Sequence, residues 1–312
     1  MFSSGPSNRY CKTKRSIIPA WAEIKMDRRA FHKLLGLGAL NALWQTAESQ
    51  GKSMQPDAQK HALPPPGFRQ PEPIDFEDHS GFVQIFNGQN LEHWDGNPDI
   101  WHAENGAIVA ISTKEKPAGN TFIVYHGTEA KDFDLKLEIK VEYGGGSGVQ
   151  YRSTTGMPPP GGTGYRGRPG GPLAPPPRAR WTLKGPQADF WYPVNAMDSS
   201  YTGQLYSQNT GRGIIAWRGQ VVHTLPGEMP RLVGNIGDRT ALGKYVKTAD
   251  WNQYTIMVRG GTFIHILNGQ LMALLIDDDP ASSNNVSGLF GLQIEGFPSK
   301  VSFRNLWLKK LS

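Results

Sequence analysis

The sequence has almost no cysteine, since Cys11 is the only one among 312 residues. The rest of the chain therefore has no thiol for a disulfide, a zinc–thiolate site or a cysteine nucleophile. Several common motifs are also missing: the P-loop, the dinucleotide-binding glycine fingerprint, the GxSxG nucleophile elbow and the HExxH zinc motif. These absences exclude cysteine chemistry and give no support to the enzyme classes that those motifs define.

The chain carries a net charge of +6, but most of it has no excess of positive charge. Residues 1–47 contain eight of the 33 basic residues and two of the 27 acidic ones, so the remainder carries 25 of each. A groove for phosphates requires a net positive cluster in the folded part. We therefore do not expect nucleic acid as a partner.

Long hydrophobic runs are absent as well. The clearest apolar stretch, residues 34–43, is shorter than the ~20 residues that a membrane-spanning helix needs. It follows Arg28, Arg29, Phe31 and Lys33, a pattern that resembles a bacterial twin-arginine export signal.

This resemblance predicts a signal peptide over residues 26–47, removed near Ala47, with the twin-arginine export machinery as a partner. The mature protein is then expected to be periplasmic or extracellular, with no membrane span. Met26 is expected to be the true start, with residues 1–25 as an upstream extension; mass spectrometry of the precursor tests this, and detection of residues 1–25 would contradict it. The alternative is a short amphipathic helix that belongs to the fold.

The body is rich in residues that interrupt helices. The chain has 37 glycines and 24 prolines, with 10% aromatic residues, which favours a turn-rich all-β fold. Residues 48–80 are polar and proline-rich and are predicted to be a linker, which leaves residues 81–312 as the folded domain. Residues 153–180 contain so much proline and glycine that they predict a long inserted loop.

Residues 132–152 contain the clearest strand pattern. In FDLKLEIKVEY, apolar and charged residues alternate with the period of two that a strand with one buried and one solvated face requires. The glycines at 144–146 are predicted to turn the chain, so that GVQYR would lie beside the first strand. The polar face of that strand is either solvated sheet or the floor of a polar site.

Turn signals elsewhere are typical of antiparallel hairpins. Asn105 and Gly106, and Asn268 and Gly269, stand between apolar runs, and both residue types tolerate positive φ. Residues 251–278 are predicted to form three strands, and the body contains no evident helix of ten or more residues. We therefore expect antiparallel sheets packed as a sandwich.

Several of these segments together resemble the 3-keto-disaccharide hydrolase domain family. In chain order across residues 81–311 they are FNGQNLEHW, DFDLKLEIKVEYGGGSGVQYR, YTGQLY, WNQYTIMVRGG, IHILNG, GLQIEG and VSFRNLWLKKL. The resemblance implies a concanavalin A-like jelly roll whose concave polar face binds a sugar-like ligand. It also implies cleavage of glycosides that have been oxidised to a ketone at C3.

A ketone at C3 acidifies the proton on C2, so that a base can remove it before the aglycone leaves C1 and water adds. The resemblance places the family's polar residues at Glu138, Arg152, Gln187, Asp189, Gln293 and Arg304. The full set of candidates is, for bases and proton carriers, Glu138, Asp189, His265 and Glu295, and, for substrate-binding groups, Arg152, Gln187, Tyr206, Gln293 and Arg304.

Several candidates have structural alternatives. Glu138 and Arg152 could form a cross-strand ion pair on a solvated face, which contributes about 0.2–1 kcal/mol. Arg304 could cap a strand end, and His265, which lies between two isoleucines, could be a hydrogen-bonded sheet histidine.

A divalent cation is the one cofactor that the sequence raises. Asp277, Asp278 and Asp279 offer three carboxylates in a row, and hard ions such as calcium take oxygen ligands. The alternative is a solvated acidic turn.

Three functions remain open from the sequence. The first is an exported enzyme that cleaves 3-keto-glycosides by elimination and hydration, and it predicts a pocket with two facing carboxylates. The second is a non-catalytic, lectin-like carbohydrate-binding module, which predicts an open groove lined by tryptophan and amide side chains. The third is a periplasmic interaction protein that uses the inserted loop as its contact surface.

Overall fold

Strands account for nearly all the regular structure of the chain. A computed structural model describes residues 71–156, 179–193, 201–282, 284–296 and 298–312, which belong to one compact unit, Arg69–Ser312. The expected signal peptide, the upstream extension, the linker up to residue 70 and most of the loop at 153–180 lie outside the described residues.

The described residues contain seventeen strands, one short helix, α1 (Arg239–Gly243), and one 3-10 turn (Ala179–Trp181). The strands are β1 Val83–Gln84, β2 Trp94–Asp95, β3 Trp101–Glu104, β4 Ala107–Ser112, β5 Asn120–Ala130, β6 Phe133–Tyr143, β7 Gly146–Ser153, β8 Gly185–Trp191, β9 Leu205–Gln208, β10 Gly213–Ala216, β11 Gln220–Thr224, β12 Arg231–Asn235, β13 Asn252–Arg259, β14 Thr262–Leu267, β15 Gln270–Asp277, β16 Gly288–Glu295 and β17 Ser299–Lys310.

The strands form two sheets packed face to face. The ten-stranded sheet has the order β12-β11-β15-β14-β13-β6-β17-β4-β3, with β1 paired to β17, and the seven-stranded sheet has the order β10-β9-β8-β7-β16-β5-β2. Neighbours are antiparallel except for β11 and β15, which pair in parallel. The expected all-β sandwich of the jelly-roll type is confirmed, with one parallel pair that the turn signals did not predict.

The core lies between the two sheets and is built by alternation. The apolar positions of β6, from Phe133 to Val141, are buried and face the other sheet. Phe133 contacts Phe290 of β16 edge-to-face, with ring centroids 4.9 Å apart. Burying each such side chain stabilises the fold by about 1.5–3 kcal/mol, so the apolar face of a strand is held in the core. The alternate residues, on the opposite face, are then the ones available for a site.

The connection between β6 and β7 crosses from one sheet to the other. Gly144 and Gly145 adopt positive φ (62° and 56°), and a Cβ on either would lie within 2 Å of a carbonyl oxygen. Strand β6 pairs with β13 and β17, whereas β7 pairs with β8 and β16. The prediction that GVQYR lies beside the first strand is therefore wrong, because two glycines turn the chain between sheets and Gly146 already belongs to β7.

The Asn-Gly hairpins are confirmed. Asn105 and Gly106 join β3 to β4 with φ of 50° and 76°, and Asn268 and Gly269 join β14 to β15 with φ of 50° and 77°. Hairpin turns need positive φ at both central residues to match the right-handed twist of the flanking strands, and Asn and Gly tolerate it. The Asn-Gly pairs therefore predict these turns from the sequence.

Residues 71–80 lie against the outer face of the ten-stranded sheet. The Lys136 ammonium of β6 donates to the carbonyl oxygens of Asp75 and Asp78, and His79 stacks on Trp307 with ring centroids 4.2 Å apart. The polar face of β6 is thus partly covered rather than fully solvated. Among the described residues, no helix is long and apolar enough to cross a membrane.

Candidate functional site

A pocket of about 290 Å3 opens on the outer face of the seven-stranded sheet. Its volume is at the lower end of the ~300–1,000 Å3 typical of small-molecule sites. Eleven residues line it: Asn120, Gln187, Asp189, Trp191, Tyr201, Gln204, Tyr206, Gln208, Ile214, Gln293 and Glu295. On β8, Gln187, Asp189 and Trp191 line the pocket because they alternate with Ala188 and Phe190, which pack in the core.

Glycines in the central strand, β7, make room for side chains that line the pocket. Gly148 lies between Asp189 of β8 and Gln293 of β16, directly opposite both. A Cβ at Gly148 would lie 2.3 Å from the amide nitrogen of Gln187. The missing side chain therefore lets polar groups from β8 and β16 meet above the backbone of β7.

A chain of amides crosses the sheet at this level. The Ser153 hydroxyl donates to Gln150 Oε1 (2.8 Å), and Gln150 Nε2 donates to Gln187 Oε1 (3.0 Å). Gln187 Nε2 donates to Gln293 Oε1, and Gln293 Nε2 donates to Asn120 Oδ1 (2.9 Å). Each of the three glutamine amides both donates and accepts, so their orientations are fixed before any ligand arrives.

Asp189 is the most desolvated carboxyl of the pocket, with 5% of its surface exposed. Burial raises the pKa of Asp189 well above its usual range, and the nearby charge of Glu295 raises it further, while a hydrogen bond from Gln204 Nε2 (2.5 Å) partly opposes this. Asp189 is therefore a neutral acid at pH values where an ordinary aspartate is ionised.

Glu295 supplies the second carboxyl of the pocket. It is half-buried at the end of β16, opposite Asn120 of β5, and Gln293 Nε2 donates to its Oε2 (3.3 Å). Two carboxyls in different surroundings thus share one pocket. Environments that separate the pKa values of two acids are the usual basis for dividing acid and base roles between them.

Tyr206 of β9 is a hydroxyl donor at the wall of the pocket. Burial raises its pKa, and the negative charges of Asp189 and Glu295 raise it further, so the phenol keeps its proton. Its hydroxyl forms no hydrogen bond with another described residue. It is therefore available to an oxygen atom of a ligand.

The pocket brings together five of the nine residues that the sequence put forward. They are Gln187, Asp189, Tyr206, Gln293 and Glu295. The other four lie elsewhere in the fold.

Glu138 and Arg304 lie on the outer face of the ten-stranded sheet. Arg304 Nε and Nη2 donate to the two oxygens of Glu138 (2.8 and 3.2 Å), and Asn305 Nδ2 adds a third bond (2.5 Å). The Arg304 guanidinium also lies 4.1 Å from the ring centroid of Trp251. Glu138 therefore pairs with Arg304 and not with Arg152, so the predicted cross-strand pair of Glu138 and Arg152 is wrong.

Arg152 is buried at the end of β7, with 1% of its surface exposed. Its donors bind the carbonyl oxygens of Lys131, Asn284 and Gly260 and the carboxylate of Asp132 (3.1 Å). These groups come from three separate connections, so Arg152 ties loops together at one end of the sandwich.

His265 of β14 is fully buried between the sheets. Its Nδ1 lies 3.2 Å from the carbonyl oxygen of Gln204, which can only accept, so Nδ1 carries the proton and Nε2 accepts from the Tyr151 hydroxyl (2.8 Å). Burial lowers the pKa of His265 to about 4 from its ordinary 6.5. The neutral imidazole therefore braces β9, two residues before Tyr206, from beneath the pocket.

We expect the fold to lose stability as pH falls below 6.5 because of this histidine. Its folded pKa is depressed, so its contribution is fully present above 6.5 and is lost as pH falls through about 4, by about 3 kcal/mol in total. Urea unfolding of the wild type, His265→Gln and the surface control His223→Gln at pH 7 and pH 4.5 measures this. A wild-type pH slope retained in His265→Gln would contradict it.

The three aspartates at 277–279 have separate partners. Asp277 is buried and accepts from Arg212, Thr224 and Ser282, Asp278 lies 2.8 Å from His223, and the Asp279 side chain accepts from a backbone N–H two residues on. Across the described ranges, no three His, Cys, Asp or Glu side chains are grouped so that they could hold a metal ion. These aspartates therefore do not fit the cation site that the sequence raised.

Sequence reasoning missed six pocket residues: Asn120, Trp191, Tyr201, Gln204, Gln208 and Ile214. Trp191 could have been found, because it follows Gln187 and Asp189 at the period of two on one strand. Residues 201–204 precede β9 without regular alternation, so their approach to the pocket had no signal in the sequence.

The fold and the pocket define a class: a two-sheet jelly-roll domain with a small polar pocket, lined by carboxyls, amides and aromatic rings, on the outer face of one sheet. Residues 81–309 match the 3-keto-alpha-glucoside-1,2-lyase-like domain family. The chain belongs to this family, and its function is accordingly carbohydrate-related.

Several solved structures are similar to this chain at low sequence identity. They include a Parabacteroides distasonis protein suggested to be a glycosyl hydrolase (19% identity, TM-score 0.46, 74% of this chain and 99% of that chain). A Bacillus subtilis protein with a galectin-like fold (12%, 0.44, 70% and 89%) and a Bacillus subtilis carbohydrate-binding module (13%, 0.39, 70% and 96%) are also similar. Because these TM-scores are below 0.5, we draw nothing about the site from them. Comparison with curated proteins finds no match.

Proposed function

We propose that the protein is an enzyme that cleaves 3-keto-glycosides by removal of the C2 proton, elimination of the aglycone and addition of water. One observation carries the proposal. Asp189, whose pKa is raised by burial, and a second carboxyl, Glu295, lie in one pocket of a chain that belongs to the 3-keto-alpha-glucoside-1,2-lyase-like family. Elimination needs such a pair, because one group must accept a proton and another must donate one.

Glu295 is the proposed base. The ketone at C3 makes the C2 proton acidic, and the carboxylate of Glu295 takes it while the C2–H electrons move toward C3 and its oxygen. The developing enolate needs a hydrogen-bond donor. Tyr206 supplies one, because its phenol stays protonated and has no hydrogen bond to another described residue.

Asp189 is the proposed acid. The enolate electrons return to form the C1–C2 double bond, the C1–O bond breaks, and the leaving oxygen takes the proton of Asp189. Water then adds at C1 of the resulting enone and gives a proton to the Asp189 carboxylate, while C2 regains a proton from Glu295. The products are the free 3-keto sugar and the aglycone, and the sequence needs no oxidant or reductant.

The test is turnover in D2O. The purified protein is incubated with a 3-keto-glucoside and with the same glucoside unoxidised, each with and without a chelator, and aglycone release is followed. We expect release from the keto substrate alone, with deuterium at C2 of the product above the level of an enzyme-free control. Release without that deuterium, together with an unchanged rate for a substrate deuterated at C2, would contradict elimination.

A non-catalytic carbohydrate-binding module is the second candidate. The neutral amide chain of Gln150, Gln187, Gln293 and Asn120, beside aromatic rings, is the kind of surface that binds hydroxyl groups without reacting with them. Sugar binding measured by calorimetry, with no aglycone release in any arm, would replace the first proposal with this one.

We also propose export through the twin-arginine route. The support is the sequence around Arg28 and Arg29, followed by the apolar residues 34–43. Replacing both arginines with lysine should keep the protein in the cytoplasm of the producing bacterium, as measured by cell fractionation. Export of the double variant at the wild-type level would contradict the proposal.

A further inference from the structure

The pocket has a second half that the proposed reaction does not use. Asp189, Glu295 and the amides that meet above Gly148 form one half, whereas Trp191 and Tyr201 form an aromatic corner beside them. Gly148 and Gly146 are two residues apart on β7, which places the two halves about 7 Å apart along the strands.

Trp191 lies flat over Gly146. A Cβ at Gly146 would lie 2.7, 2.8 and 3.1 Å from three contiguous indole atoms, Cε2, Cζ2 and Cδ2, so one face of the ring covers the backbone there. Trp191 is half-buried and lines the pocket, so its opposite face is turned toward the space that a ligand would occupy. Gly146 thus makes room for the indole ring, just as Gly148 makes room for the amides of Gln187 and Gln293.

The corner is held in place by its neighbours. Thr202 Oγ1 accepts from the backbone N–H of Trp191 (2.9 Å) and also bonds its carbonyl oxygen (3.2 Å). Tyr201 contacts Trp191 with ring centroids 5.3 Å apart and stacks on Trp217 at 5.7 Å, and the Arg239 guanidinium lies 4.2 Å from the Trp217 centroid. A surface that is ordered before binding costs little entropy when a ligand stacks on it.

We propose that Trp191 and Tyr201 form a leaving-group subsite, which takes an aglycone that presents a ring face, either a second sugar or an aryl group. The inference rests on the proposed function, in which Asp189 protonates the leaving oxygen. Asp189 and Trp191 project from the same face of β8, two residues apart, so the atoms beyond that oxygen lie within reach of the indole. Ring faces stack on aromatic side chains, whereas a methyl aglycone offers no such face.

The test compares methyl, glucosyl and 4-nitrophenyl 3-keto-glucosides of one anomeric configuration. For each substrate, kcat/KM of Trp191→Ala is divided by that of the wild type, which cancels the intrinsic reactivity of the leaving group. We expect roughly a 10- to 100-fold loss for the ring-bearing substrates and a loss of about 3-fold or less for the methyl glycoside. The glucosyl and nitrophenyl arms show which kind of ring the corner favours.

Matched variants separate stacking from folding. Trp191→Phe keeps a ring face and should recover part of the loss, and Tyr201→Leu should show the same substrate selectivity if Trp191→Ala does not fold. Trp251→Ala, on the outer face of the other sheet, is expected to leave all three substrates unchanged. Equal losses on all three substrates in Trp191→Ala, or no loss on any, would overturn the subsite.

Failure of the proposed function gives a different result. If the wild type cleaves none of the three substrates, binding of unoxidised 4-nitrophenyl glucoside and methyl glucoside is measured by calorimetry in the same variants. Tighter binding of the nitrophenyl compound that is lost in Trp191→Ala and kept in Trp251→Ala would still support the ring subsite. Equal binding of both compounds would overturn it.

Discussion

Replacing Asp189 with asparagine is expected to lower kcat/KM on 3-keto-glycosides by about 10²–10⁴-fold, the usual contribution of a positioned acid. The amide keeps the shape of the side chain but has no proton to give to the leaving oxygen. The same substitution is expected to raise the melting temperature at neutral pH. Burial raises the pKa of Asp189, so above pH 3.8 this carboxyl ionises more readily in the unfolded chain and thereby favours unfolding. Asparagine does not ionise, so the substitution removes that contribution.

The sign of the pH dependence makes this prediction specific. The folded pKa of Asp189 is raised, so the stability that the protonated carboxyl contributes is present below its ordinary value of 3.8 and is lost as pH rises through the folded pKa. The gap in melting temperature between Asp189→Asn and the wild type should therefore widen as pH rises. Scanning calorimetry from pH 4 to pH 8 measures it, and a constant gap would mean that Asp189 is not held neutral.

Glu295→Gln is the partner experiment. Turnover should fall, because the proposed base is lost. The charge of Glu295 is also one of the causes that raise the pKa of Asp189, so the pH above which the residual activity declines should be lower than in the wild type. Glu138→Gln, on the other sheet and paired to Arg304, is expected to keep wild-type turnover. Normal turnover in Asp189→Asn together with loss in Glu138→Gln would move the site to the ten-stranded sheet.

A feature could be predicted from the sequence when the physical rule that determines it acts between residues close together in the chain. Alternation in β6 and the Asn-Gly pairs act within a few residues, so the strands and hairpins were predictable. The pairing of β7 was not, because Gly144 and Gly145 turn equally well into a hairpin or across to another sheet. Register and sheet membership depend on contacts that are distant in sequence.

The same limit applied to the site. Gln187, Asp189 and Gln293 came together because they share one face of two strands that flank β7. Glu138, which has an equally strong alternation pattern, faces outward from the other sheet. Alternation places a residue on a face of its strand, and only the topology decides whether two such faces belong to one pocket.

Arg152→Ala is expected to destabilise the fold by about 3–5 kcal/mol, the typical cost of breaking a buried ion pair by removing one partner. The guanidinium is itself fully buried and binds three carbonyl oxygens and the carboxylate of Asp132, whose side chain is 28% exposed. Removal takes a donor from each of the three carbonyl oxygens and opens a cavity at the junction of three connections, while Asp132 keeps its bonds from the Gly260 N–H and the Ser312 hydroxyl. No part of the side chain lines the pocket, so the effect should be on unfolding and not on substrate affinity.

Arg304→Ala is the matched control, because both arginines were predicted from the sequence to be substrate clamps. The Arg304 side chain is 38% exposed, and its pair with Glu138 and its contact with Trp251 together contribute about 1–2 kcal/mol. Urea unfolding of both variants therefore separates a buried brace from a surface pair. If Arg152→Ala unfolded at the wild-type urea concentration but had lost activity, Arg152 would bind substrate in a conformation that places its guanidinium outside the present network.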